Sequence, residues 1–365
     1  MSYITAPREP SRWRCYDKRC DKWIHFKHAN GLTVRGNGTI NGRGYNWWNV
    51  NVSQFSKFLF LILPCFCFTI LTFFITSISR TAFEISHSEN ISLTGLRFID
   101  SPRMHVHFEK SKSARVTNIT IDAPGESPNT DGIHVSGSSD VIIDHCQIGT
   151  GNFGHTYYIF IHRDDCISIV DGCSHLNISN IICGPGHGIR LVFIYLLLNL
   201  IFGSNDNVED IFVSDVLFIS STNGARIKTW QVKYFSFLFD QGGKGHASNI
   251  IFERIRTQDS YNPIIIDQFY CDGEYCTEHV SNFYLKCSGL LQDSAVKVSN
   301  VTFRHVQGTS QGEFAVKLDC SASVPCTGIV LEDIDIRSGY ENQARVYTSN
   351  VQGIVMGLTI PQTHF

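Results

Sequence analysis

The 365-residue chain sets 30 lysines and arginines against 33 aspartates and glutamates, a formal net charge of −3. It shows no basic stripe with interleaved aromatics, which argues against nucleic acid as a partner. At 43% hydrophobic and 17% charged, with 29 glycines, it suits turn-rich β structure and disfavours helical bundles and coiled coils. Thirteen cysteines favour an oxidising compartment and leave at least one thiol over.

The first ten residues, Met1 to Pro10, contain no apolar core and no small-residue cleavage site, so no secretion signal is visible and an N-terminal truncation is expected. Cys15, Cys20, His25 and His28 have loose metal-ligand spacing in an aromatic-rich segment; disulfide or buried cysteine is the preferred reading and no metal is expected. Gly36 to Gly42 is glycine-rich, but no helical pattern follows, so it reads as turn glycine and not as a nucleotide loop. Within residues 52–79 an uncharged apolar run from Phe58 to Ile75 is long enough to be a membrane span.

From residue 90 a template recurs: Asn, Asp or Gly, then alternating β-branched or aromatic residues. It begins at Asn90, Asn118, Asp140, His175, Asp210, Asn249, Asn300 and Gly328. Steps between the residues that follow these leaders are 28, 22, 35, 35, 39, 51 and 28, the 51 reading as two coils with a weaker one between. Period-two strands at a fixed repeat predict an all-β, stacked architecture, a parallel β-helix of roughly 22–28 residues per coil. A hairpin sandwich would need Asn-Gly or Asp-Gly turns, which are scarce.

Residues 152–163, 190–202 and 232–241 are apolar insertions that lengthen the long steps, and 52–79 is a fourth. Two readings compete. As real structure, they are an anchor and apolar loops that need a cover. As translated intron, splice donors read in frame as valine, acceptors as glutamine and pyrimidine tracts as Phe, Leu, Ser and Ile, a pattern matched by Val232-Lys233 through Gln241 and by Val52-Ser53 onward. With them set aside, residues 1–365 read as a single β-helix domain.

Four clusters fall on successive coils: Asn129-Thr130-Asp131, Asp164-Asp165, Gly186-His187-Gly188 and Arg226-Ile227-Lys228. With the twelve residues 152–163 removed, Asp131 to Asp165 and Asp165 to His187 are each 22 residues, one coil apart. Residues at equal phase in a parallel ladder form a file. The file predicted here runs carboxylate, carboxylate pair, imidazole, two cations. Hydrolysis of an acidic sugar polymer needs such a set: an acid for the leaving oxygen, a carboxylate for water and cations for the uronate. Crowded carboxylates keep one of their number protonated.

Asn129-Thr130-Asp131-Gly132-Ile133-His134, Asp164-Asp165-Cys166-Ile167-Ser168-Ile169, Cys183 to Ile189 and Arg226-Ile227-Lys228-Thr229-Trp230 resemble the four signature motifs of the polygalacturonases of glycoside hydrolase family 28, plant type. The resemblance implies a right-handed parallel β-helix that hydrolyses α-1,4-galacturonan with inversion, without metal or organic cofactor. By position Asp164 is the general acid, Asp131 and Asp165 hold the attacking water, and His187 tunes the acid. Asn129, Arg226, Lys228 and Tyr270 contact substrate. Cys166–Cys183, Cys271–Cys276 and Cys320–Cys326 are implied disulfides. The implied partner is homogalacturonan, the implied setting a secreted, monomeric protein at the cell wall. A non-catalytic pectin-binding helix and a calcium-dependent pectate lyase are the alternatives. One departure stands out: the family's Thr-Gly-Asp-Asp is split here between Gly151 and Asp164 by residues 152–163. Sequons at Asn37, Asn90, Asn118, Asn177 and Asn300 read as turn asparagines in preference to glycans.

Overall fold

The structure is a computed structural model that describes residues 2–9, 12–13, 22–48, 81–151, 164–193, 206–230, 232–233, 245–270, 291–292, 296–339 and 344–365. Residues 52–79 and 152–163, Cys15, Cys20, Cys271 and Cys276 lie outside them.

The repeat leaders are where the chain turns. All eight adopt the left-handed backbone region, from Asn300 at φ 53° to Gly328 at φ 65°. Residues other than Gly, Asn and Asp resist that region, which is why the template opens on them at every leader but His175. A second left-handed corner follows five residues on, at Gly95, His145, Asn180, Asp215, Arg254, His305 and Asp333.

This pair of corners corrects two expectations. Asn118 is the second corner of its coil, not the first, because Ser113 (φ 55°) precedes it and Ala114 pairs with both Ile91 and Val141. The irregular steps of 28 and 22 therefore become 23 and 27. The step of 51 is not two coils, because Ile250 pairs directly with Val301.

The chain divides into two compact units, residues 1–168 with 181–187 and residues 169–180 with 188–365. In the first, parallel strands Lys22–Lys27, Thr81–Ser86, Val106–Glu109 and Ile133–Ser136 pair in succession. Alternate residues point inward, so Ile85, Val106, Phe108, Ile133 and Val135 are fully buried. Each such side chain contributes roughly 1.5–3 kcal/mol. The outward positions carry a polar file in strict register, His25–Glu84–His107–His134.

In the second unit, Ile189–Phe193, Asn223–Trp230, Asn262–Tyr270, Phe314–Asp319 and Arg345–Ser349 likewise pair in parallel. Its other sheet stacks Asp206–Ile219, Gly245–Ser260, Val296–Ser310, Cys326–Ser338 and Val351–Ile360. Phe252 and Phe303 are in register and their rings stack at 5.3 Å and 6° within the core. Outside, Asn300 Nδ2 donates to Asn249 Oδ1 (2.8 Å), and Asn249 Nδ2 to Asp210 Oδ1 (2.9 Å). The Asn300 amide is thus engaged in a corner ladder, as a turn asparagine should be.

Arg190 to Phe193, expected to open an insertion, instead complete a strand that pairs residue for residue with Arg226 to Thr229. Val232 and Lys233 form a two-residue antiparallel bridge with Leu291 and Gln292.

Candidate active site

Asp131, Asp164, Asp165 and His187 belong to the first unit, and the ladder fixes their phase. Gly132 N donates to Asp165 O (2.9 Å) and Ile133 N to Cys166 O (3.0 Å), so Asp131 lies beside Asp165 on the next coil. His187 N donates to Asp164 O (2.7 Å), placing His187 beside Asp165 one coil further. The expected file of carboxylate, carboxylate pair and imidazole is therefore present in this unit. Close approach of the coils depends on glycine: a Cβ on Gly132 would collide with Ile148 Cγ2 and Cys166 O.

Asp164 sits at the phase of Thr130. Its Oδ2 accepts from Thr130 N (2.7 Å) and Thr130 Oγ1 (3.0 Å). Both contacts favour the ionised form. Burial outweighs them, helped by the neighbouring Asp131 and Asp165 charges, and the Asp164 carboxyl is pushed up to about 7. With Oδ2 occupied by two donors, Oδ1 is the oxygen left to carry the proton. The Asp164 backbone is pinned too: its N donates to Thr150 O (3.3 Å), its O accepts from Thr150 Oγ1, and Thr150 N donates to Pro185 O (2.8 Å). The Cys166–Cys183 disulfide, implied by resemblance, is present beside this turn, as is Cys320–Cys326 in the second unit.

Asp131 is buried, and its Oδ2 accepts from Ser168 Oγ (2.6 Å). Ser168 Oγ also lies 2.6 Å from His134 Nδ1, which is 3.3 Å from the same carboxylate oxygen. Since the serine hydrogen goes to Asp131, His134 Nδ1–H donates to the serine. Behind His134, the His107 ring packs edge-on at 4.9 Å, with Nδ1 3.1 Å from Glu84 Oε2 and Nε2 3.0 Å from Ser136 Oγ. Burial raises the Glu84 carboxyl, but His107 and Lys22 together outweigh it and hold it below its ordinary value. His105 supports the Asp131 backbone: its N and Nδ1 reach Asp131 O at 2.9 and 3.2 Å, and its Nε2 accepts from Ser101 N. Full burial pushes His105 down to about 4, so it stays neutral.

Asn129 is exposed, with φ 56°. Arg226, Lys228 and Tyr270 form a cluster in the second unit: Lys228 Nζ lies 3.4 Å from the Tyr270 ring centroid and Arg226 Cζ 5.2 Å from it. The i, i+2 spacing of the two cations puts both on one face of their strand, and both are buried. Sequence reasoning passed over Thr130, His134, Ser168 and His105. The first three sit inside the quoted motifs, and the 34-residue separation of Thr130 from Asp164 and of His134 from Ser168 carried the signal, being that of Asp131 from Asp165.

A parallel β-helix bearing stacked acids, one of them protonated close to neutrality, is equipped for acid–base cleavage of a glycosidic bond. The chain matches glycosyl hydrolases family 28 over residues 76–355 and belongs to that family. It is 36% identical over 333 residues to a probable polygalacturonase of Arabidopsis thaliana, covering 91% of this chain and 62% of that protein. It is 35% identical over 362 residues to a polygalacturonase of Persea americana, covering 97% and 64%. The chain thus spans a little under two thirds of these relatives. Among solved structures, the endo-xylogalacturonan hydrolase of Aspergillus tubingensis aligns with a TM-score of 0.71 at 20% identity, over 97% of this chain and 82% of the other. That likeness supports the fold.

Proposed function

We propose that this chain hydrolyses α-1,4-galacturonosyl linkages of homogalacturonan by an inverting acid–base mechanism, at the cell wall, as a secreted monomer. The observation that carries the reading is Asp164: a carboxyl held by Thr130 and raised to about 7 by burial and by the neighbouring Asp131 and Asp165 charges. Asp164 Oδ1 delivers the proton to the leaving oxygen. Asp131, oriented by Ser168, and Asp165 take the proton from water as it attacks the anomeric carbon from the opposite face. His187, one coil beyond Asp165, supports the protonation of the acid. Arg226 and Lys228 bind the substrate carboxylate, with Tyr270 against the sugar. Asn129 supplies a further substrate contact from its exposed corner.

Reducing-end release from polygalacturonate tests this directly. Wild type releases reducing ends and Asp164→Asn loses at least about a hundredfold in rate, the scale of a positioned acid. Equal rates for the two would defeat the reading, and unsaturated products absorbing in the ultraviolet would point to a lyase instead. We also propose that residues 52–79, 152–163, 190–202 and 232–241 include translated intron. A mature transcript encoding all four would refute that.

A further inference from the structure

Arg103 stands at the same phase as the acid. Counting back three residues from the Val106–Ile133 pair sets Arg103 beside Thr130, and Thr130 is itself beside Asp164 on the next coil. The ladder holds along this stretch, since His105 N still donates to Asp131 O at 2.9 Å. Successive coils are about 4.8 Å apart, so Arg103 lies two coil steps from Asp164 along one file.

Its surroundings are unusual for a structural arginine. Arg103 is half-buried, and its Nε is sealed from solvent without a hydrogen-bond partner among the described residues. No ion pair within 4.0 Å holds its guanidinium among those residues, although the Asp131 and Glu84 carboxylates act on it electrostatically. Burial depresses its basicity and those two charges restore part of it. A guanidinium brings five donors in a planar fork that matches a carboxylate. Leaving the sealed Nε–H unpaired is costly unless a ligand completes the fork.

We infer that Arg103 is a substrate-binding residue that pairs with a uronate carboxylate of the bound chain. This rests on the polygalacturonan reading above. A polyuronate approaching Asp131, Asp164, Asp165 and Glu84 meets like charge, and a cation set into that wall offsets the repulsion while fixing the register of the chain. A carboxylate on every sugar of the polymer makes such a grip available. Methyl-esterification of that sugar removes it.

Two measurements decide. On polygalacturonate, Arg103→Gln is expected to raise KM on the order of tenfold, the size of one charge-assisted hydrogen bond, with a much smaller fall in kcat. Arg103→Lys, which keeps the charge without the fork, is expected between the two, and it decides the matter if the glutamine variant does not fold. By calorimetry, Asp164→Asn is expected to bind tetragalacturonate more tightly than its fully methyl-esterified counterpart, and adding Arg103→Gln to shrink that preference severalfold. A KM within about twofold of wild type for both variants, or an unchanged preference, overturns the inference. If wild type fails to hydrolyse yet the preference depends on Arg103, the arginine stands and the hydrolase reading falls. If Asp164→Asn binds neither ligand, both fall. A purely structural arginine would lower the melting temperature without moving the ester preference.

Discussion

Thr130→Val is the most informative single change at the site. Thr130 presents two donors to Asp164 Oδ2, its N at 2.7 Å and its Oγ1 at 3.0 Å; the substitution keeps the first and removes the second, together with the 2.6 Å contact of that hydroxyl to Ser127 Oγ, while keeping the shape. Both bonds favour the ionised carboxylate, so losing one raises the acid's pKa above its present value of about 7. A hydrogen bond to a charged group is worth roughly 1.5–3 kcal/mol and each pKa unit is about 1.4 kcal/mol, so the upward move is at least about one unit. The proposed reaction needs Asp164 protonated, so wild-type kcat/KM is expected to fall as pH rises through about 7. In the variant that fall should come about one unit higher, near pH 8. Initial rates on polygalacturonate from pH 4 to 9, with melting temperature measured alongside, give the comparison. A limb that stays put, or moves to lower pH, would refute the assignment of Asp164 as the acid or of Thr130 as its tuner.

Ser168→Ala removes the 2.6 Å bond to Asp131 and is expected to lower kcat about tenfold to a hundredfold with little change in KM, as read from initial rates. Replacing Cys166 and Cys183 together by serine opens a bridge of sequence separation 17 and should cost about 3 kcal/mol in denaturant melts, since it frees the unfolded chain. Phe303→Ala empties half of the Phe252–Phe303 stack and should cost about 3–5 kcal/mol by the same measurement. Deleting residues 152–163 joins Gly151 to Asp164 and restores Thr-Gly-Asp-Asp; the shortened protein should keep or exceed the parent's rate on polygalacturonate.

The sequence carried the fold through its corners and its inward alternation. Each repeat leader turned out to be a left-handed residue, because few side chains tolerate that backbone and Asn, Asp and Gly do. The same signal misled at Asn118, since a coil has two such corners and Ser113, the first of them, does not look like one. The site was legible as far as phase goes: Asp131, Asp165 and His187 fall one coil apart once residues 152–163 are set aside. What could not be read was how the acids are served by their neighbours. Thr130 binding Asp164 and Ser168 binding Asp131 are contacts across coils, and they exist only when two distant stretches of chain are in register. Arg103 carried no motif at all. Its interest comes from a partner its Nε lacks among the described residues, and sequence does not display absences of that kind.

The turn at Asp164 has a consequence for how this protein tolerates change. Thr150 O accepts from Asp164 N, and Thr150 Oγ1 donates to Asp164 O, so the two flanks of residues 152–163 meet by direct bonds at the rim of the acidic file. A junction whose two sides already touch is neutral toward the length of what is strung between them, because closing a longer loop adds only about 0.6 kcal/mol per doubling. The place behaves as a splice-tolerant seam: sequence can be gained or lost there while the bonds that set Asp164 remain. Such a seam next to Asp164 is where a family can acquire a new rim without rebuilding the carboxyl beside it.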